Sequence, residues 1–216
     1  MVSDSRKWHI AVAASVVLTL AGCSSEQAAL PDADPADPAV GDALMVVGPL
    51  GERALGEPNA PNVVIEYASL TCPHCRAFHT LVYPEFKEKY IDTGEVYFIY
   101  RPFSLNLLDT AAIMLTNCVS EDRFFPVVEL LYDQQPAWAG AGDPVMALRQ
   151  LVKQVGVTSE AFDACMANQE ILDGVNWVKT RAQQEFGVGS TPTFFFNGEK
   201  RVGEHSLVMI DEILGS

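Results

Sequence analysis

Two cysteines two residues apart, in Cys72-Pro73-His74-Cys75, end one kind of segment and open another. Before them lies an apolar, β-rich run, Val63-Val64-Ile65-Glu66-Tyr67, and after them an amphipathic, helix-like stretch from Cys75 to Tyr83. A strand leading into Cys-x-x-Cys at a helix start points to redox chemistry. The unpaired backbone N–H groups and the dipole at a helix start favour a thiolate over a thiol.

The first residues read as a targeting segment. Arg6 and Lys7 precede an apolar run from Ile10 to Leu20. As a helix that run covers about 16 Å, too short for a bilayer core of about 30 Å. Residues 1–22 are therefore taken as a secretory signal outside the fold. Its end, Leu20-Ala21-Gly22-Cys23-Ser24, resembles a bacterial lipobox, which implies cleavage before Cys23 and a lipid on its sulfur. Residues 23–41 are rich in Ala, Asp and Pro and lack the apolar content to fold, so they are expected to be a disordered acidic tether. Export places Cys72, Cys75, Cys118 and Cys165 in an oxidising compartment, where disulfides persist.

The precursor carries a net charge of −14, and loss of residues 1–22, with Asp4, Arg6 and Lys7, leaves −15. That acidity argues against nucleic acid or anionic lipid as a partner.

Residues 42–216 are enough for one domain with a sizeable core. Ala43 to Val47 reads as a short strand and Asn62 to Tyr67 as a buried one. The helix after Cys75 is expected to run to about Tyr90, bent at Pro84. Glu95 to Arg101 reads as a second strand. From Leu105 to Phe186 the apolar spacing is helical throughout, with Asp143 and Thr158 or Ser159 as N-caps. Strand signals return at Thr191 to Phe196, turn at Asn197-Gly198 and continue to Val202, before a last helix from Ser206 to Leu214.

Three separated signatures carry a family resemblance. They are Glu66-Tyr67-Ala68-Ser69-Leu70-Thr71 leading into the cysteine pair, the helical block, and Gly189-Ser190-Thr191-Pro192-Thr193-Phe194. In this order the chain resembles the DsbA-like thiol:disulfide oxidoreductases. That implies an α/β thioredoxin fold with an all-helical insertion, its halves at 42–104 and 187–216 and the insertion at 105–186. The resemblance makes Cys72 an exposed nucleophile and Cys75 the resolving thiol. Pro73 and His74 would tune the pair, and Glu66 would handle the proton of the buried cysteine. A carboxylate inside that apolar strand is costly to ionise unless it is paired. Pro192 is expected to be a cis-proline facing the pair, with Thr191 offering groups to a bound peptide. Cys118 and Cys165 are expected to form a structural disulfide, with two buried thiols as the alternative. His79 reads as a surface residue, and His205 is given no role.

The implied activity is a membrane-tethered oxidase of exported, cysteine-containing proteins, with an isomerase or reductase of the same fold as the alternative. It uses the cysteine pair and no further cofactor or metal. Implied partners are a quinone-linked oxidase or a reductase in the membrane, the membrane itself through lipid on Cys23, and no nucleic acid. A periplasmic monomer is expected, since the tether runs almost directly into the α/β core. Two other classes compete. A soft-metal module could use Cys72, His74, Cys75 and His79; a tethered, non-catalytic binding protein leaves the Cys-x-x-Cys unexplained.

Overall fold

A computed structural model describes residues 38–215. The signal segment, Cys23 and residues 23–37 of the expected tether lie outside the described residues.

Five strands form one sheet in the order β1-β3-β2-β4-β5: β1 Ala54–Leu55, β2 Asn62–Ala68, β3 Val96–Pro102, β4 Thr193–Phe196 and β5 Glu199–Val202. β2 and β3 run parallel, with Glu66 opposite Tyr100, and β4 runs antiparallel to β2, with Glu66 opposite Phe194. Parallel neighbours need a crossover. Here residues 73–91 supply it as one helical rod. It alternates α segments, α2 Pro73–Ala77 and α3 Tyr83–Phe86, with π turns Phe78–Val82 and Lys87–Ile91. Pro84 has no N–H to give, and the ladder steps around it: Tyr83 N–H bonds to Phe78 O, five residues back.

Strand side chains alternate between two faces. Val64, Ala68, Phe98, Tyr100, Phe194 and Phe196 join the larger core with the rod and the helical block. Ile65, Tyr67, Ile99 and Phe195 join a second core on the other face. Glu66 lies between Val64 and Ala68, so the pleat sends it to the rod's side.

The helical block comprises α4 Leu107–Asn117, α5 Glu121–Asp133, α6 Gln135–Ala139, α7 Pro144–Lys153, α8 Ser159–Met166 and α9 Gln169–Phe186, following α1 Pro38–Leu44 near the start of the described chain. Asp143 and Thr158 accept from the N–H groups of Met146 and Ala161 as N-caps. Cys118 and Cys165 are bonded, with Cα atoms 5.9 Å apart, and so join the end of α4 to α8. α9 returns to the sheet, where Val178, Ala182 and Phe186 cover the second face. The β4–β5 turn uses Asn197 at φ 49° and Gly198 at φ 88°, the positive values a type I′ turn requires. α10, Leu207–Leu214, begins at Ser206, whose Oγ accepts from Met209 N–H.

The strand expected at Ala43–Val47 is absent. α1 occupies Pro38–Leu44, and Val46 and Val47 lie exposed. Leu44 is the reason: it is buried in the second core, beside Ile65 and Phe195. α1 thus begins within the span expected to be tether. Gly41, Leu44 and Met45 adjoin Val63, Asn197 and Gly198, at the entry end of β2. No described helix is long and apolar enough to cross a membrane.

Candidate active site

β2 ends at Ala68, and the chain turns through Ser69, Leu70 and Thr71 into α2. Cys72 is the N-cap residue, with extended backbone (φ −79°, ψ 123°), and Pro73 opens the helix with φ already set. Cys72 is less open than expected, 5% exposed, and Cys75, a turn deeper, is fully buried. The cause is the loop before β4. Its Thr191–Pro192 peptide is cis, and the Cys72 thiol donates to Thr191 O at 3.3 Å.

The two thiols differ sharply. Cys72 is lowered to about 5, chiefly by a hydrogen bond from the Cys75 thiol. The Thr191 side chain and the N–H groups of Cys75 and His74 add to this, against the opposing effect of burial. Thr191 Oγ1 is itself buried with no other partner. Burial pushes Cys75 well above the ordinary thiol value, reinforced by its bond to Cys72 and by the charge of Glu66. One sulfur is built to be a thiolate and the other to keep its proton.

His74 does not turn its ring to Cys72. Its Nδ1 pairs with Glu204 Oε1 at the surface, and that bond raises the imidazole's pKa. Its help to the Cys72 thiolate comes through its backbone N–H and its nearby charge. Glu66 is fully buried and paired: Oε2 lies 2.8 Å from His79 Nε2. This corrects the reading of His79 as a surface residue. It is 6% exposed, stacked on Tyr132 with ring centroids 4.3 Å apart. His205 is also buried, with its Nδ1 2.9 Å from Gly203 O. With His74 turned to Glu204 and His79 to Glu66, the four residues of the soft-metal alternative do not converge. Among the described residues no cluster of three or more His, Cys, Asp and Glu is placed to hold a metal ion.

The helical block grips the loop before Cys72. Asp109, on α4, accepts at Oδ1 from Leu70 N–H (2.9 Å) and Thr71 N–H (3.3 Å), and at Oδ2 from Leu105 N–H (2.8 Å). Burial still raises its carboxyl to about 6. Gln135 Nε2 donates to Leu70 O at 2.8 Å and Cys72 O at 3.0 Å, and Tyr132 OH donates to Ser69 O at 3.3 Å. Sequence reading singled out none of Asp109, Gln135, Tyr132 or Glu204. Asp109 carries only the signal of an ordinary first-turn acid after the N-cap Asn106.

A family model described as thioredoxin matches residues 50–215. A Rickettsia bellii relative, provisionally named a protein-disulfide oxidoreductase, is 32% identical over 152 residues, covering 68% of this chain and 57% of its own. The chain thus spans a little over half the length of the first curated relatives it matches. The crystal structure of Wolbachia pipientis alpha-DsbA1 has 30% identity and a TM-score of 0.73, covering 81% of this chain and 94% of that one. BdbD from Bacillus subtilis, at 21% identity and a TM-score of 0.67 over 76% and 91% of the two chains, shares the fold. By the thioredoxin family model over most of its length and its likeness to alpha-DsbA1, the chain belongs to the DsbA-like family.

Proposed function

We propose that this protein is an exported thiol:disulfide oxidoreductase that acts as an oxidase of cysteine-containing proteins through Cys72 and Cys75. The observation that carries the reading is the split between the two thiols, Cys72 lowered to about 5 and Cys75 raised by burial. A stabilised thiolate favours the reduced protein and leaves readily, so the oxidised form is a strong oxidant. A substrate thiolate attacks Cys72 Sγ of the disulfide, and the electron pair of the broken bond passes to Cys75, which takes up a proton. A second substrate thiolate then attacks the substrate sulfur of the mixed disulfide, and Cys72 leaves as thiolate. The substrate gains a disulfide and the protein holds two reduced sulfurs. Thr191, its carbonyl already at Cys72, pairs with the backbone of the bound peptide.

The signal segment and Cys23 support a periplasmic, lipid-anchored protein; on this reading it works as a monomer and is reoxidised by a quinone-linked membrane oxidase. The experiment is the Cys72–Cys75 reduction potential against glutathione, with substrates trapped by Cys75→Ala. A potential well above that of thioredoxin (about −270 mV), and transfer of Cys72 from its glutathione mixed disulfide in Cys75→Ala onto reduced substrates with release of glutathione, support the oxidase. A potential near that value assigns the chain to the reductase alternative.

A further inference from the structure

Deep in the apolar side of the sheet, two ionisable side chains meet where only one was read from the sequence. Glu66 on β2 and His79 on the rod have side chains 0% and 2% exposed, joined Oε2 to Nε2 at 2.8 Å. Burying such groups is unfavourable without a return, structural or chemical. Their other polar atoms are not spent on structure: Glu66 Oε1 and His79 Nδ1 are buried with no hydrogen-bond partner. A purely structural tie would satisfy both ends.

Position relates the pair to the chemistry. His79 follows Cys75 by four residues, which puts it one turn along the same helix face. Glu66 is near enough to Cys75 for its charge to oppose ionisation of that thiol. Around the pair stand mainly phenols, with Glu129 as the other carboxylate. The phenols are Tyr83 on α3, Tyr100 on β3 and Tyr132 on α5, all kept protonated by burial, with Phe194 opposite on β4. Glu129 on α5 is half buried and senses the charge of His79.

We propose that His79 is a positioning residue for proton transfer at Cys75: it holds Glu66 Oε2 so that the free oxygen, Oε1, exchanges the proton of the Cys75 thiol. This rests on the thiol:disulfide exchange proposed above and adds a residue to it. When a mixed disulfide on Cys72 is resolved from within, the Cys75 proton passes to Glu66 Oε1. The Cys75 thiolate then attacks Cys72 Sγ, the bond to the outgoing sulfur breaks, and that sulfur leaves with the electron pair. In the opposite direction the proton returns from Oε1 to Cys75 as its thiolate is released. His79 Nε2–H donates to Oε2 throughout, so the carboxyl gains and loses a proton without turning.

The test separates the two attacks. Reduced full-length protein is mixed with glutathione disulfide and quenched at intervals, and mass spectrometry follows the Cys72–glutathione adduct as it forms and as Cys75 removes it. Expected for His79→Leu is removal slowed roughly tenfold or more near neutral pH, with a shifted pH profile. Formation of the adduct stays within about twofold, because neither Glu66 nor His79 is among the groups that act directly on the Cys72 thiol. His79→Gln, which keeps a donor for Oε2, recovers most of the removal rate. Glu66→Gln slows removal at least as much as His79→Leu, and the double variant adds nothing further, as residues acting in one unit require. A removal rate and pH profile for His79→Leu equal to wild type overturn the proposal. So does a His79→Gln variant no faster than His79→Leu. If His79→Leu does not fold, His79→Gln against Glu66→Gln still decides through their removal pH profiles: the same profile for wild type and both variants overturns it. Failure of the wild type to form the adduct is a different result and removes the exchange reading itself.

Discussion

Gln135 donates through Nε2 to the carbonyl of Cys72 at 3.0 Å, across 63 residues of sequence. The helical insertion therefore does more than add bulk. It holds the residue that begins the redox helix, and the same amide also reaches Leu70 O. Gln135→Ala removes the side-chain donor from Leu70 O and leaves Cys72 O with the Arg76 N–H alone. Expected is a loss of about 1–3 kcal/mol in urea unfolding of the reduced protein.

Cys72 is expected to titrate near pH 5, read from thiolate absorbance in the reduced protein. Its pKa is lowered on folding, so its contribution to the reduced fold is present at high pH and is lost as pH falls through about 5. The potential should follow. Above about pH 5 the reduced pair binds one proton for two electrons, a slope of about 30 mV per pH unit, steepening to about 59 mV below it. A single slope of about 59 mV from pH 4 to 8 would show that Cys72 is an ordinary thiol.

Thr191→Val keeps the shape of the side chain and removes the hydroxyl. With one source of stabilisation of the Cys72 thiolate gone, its titration should move up and the potential become more reducing. Turnover on reduced and scrambled substrates should change, with little loss of fold stability. Unchanged potential and rates would reduce Thr191 to a spacer before Pro192.

Asp109→Ala strips the acceptor from Leu70, Thr71 and Leu105, and about 2–3 kcal/mol of destabilisation is expected at pH 4. pH gives a second reading. With its carboxyl raised to about 6, Asp109 keeps its proton in the fold where the unfolded chain has lost it. Wild-type stability relative to Asp109→Ala should therefore fall as pH rises from about 4 to 6, by about 2 kcal/mol. A flat difference over that range would refute the assignment.

The Cys118–Cys165 bond closes a loop with a sequence separation of 47. Replacing both cysteines by Ala should lower stability by about 4 kcal/mol on the chain-entropy account. Peptide mapping of unreduced, exported protein should recover the two segments as one linked species.

The legible parts of this fold were local. Continuous apolar, β-rich runs marked β2, β3 and β4, Asn197-Gly198 marked the hairpin, and Cys72-Pro73-His74-Cys75 carried its own helix signal. The illegible parts were distant partners. His74 meets Glu204 across 130 residues and Leu70 meets Asp109 across 39, and no periodicity encodes such meetings. His79 was misread because histidine on an amphipathic helix usually faces water. The pleat of β2 turns Glu66 to meet it, and stacking on Tyr132 completes its burial. At Ala43–Val47 local β propensity lost to tertiary demand, since Leu44 fills a gap over Ile65 and Phe195.

α1 fixes more than a patch of core. It brings the chain in beside Val63 and the Asn197-Gly198 turn, while Cys72 follows the far end of β2. Seven residues of strand, about 20 Å, separate the two poles. Cargo, label or surface coupled ahead of Pro38 would thus load the domain from behind, leaving the mouth at Thr191 and His74 open to a bulky client. Immobilisation through that end should preserve exchange kinetics. Coupling near Glu204, beside the mouth, should throttle them.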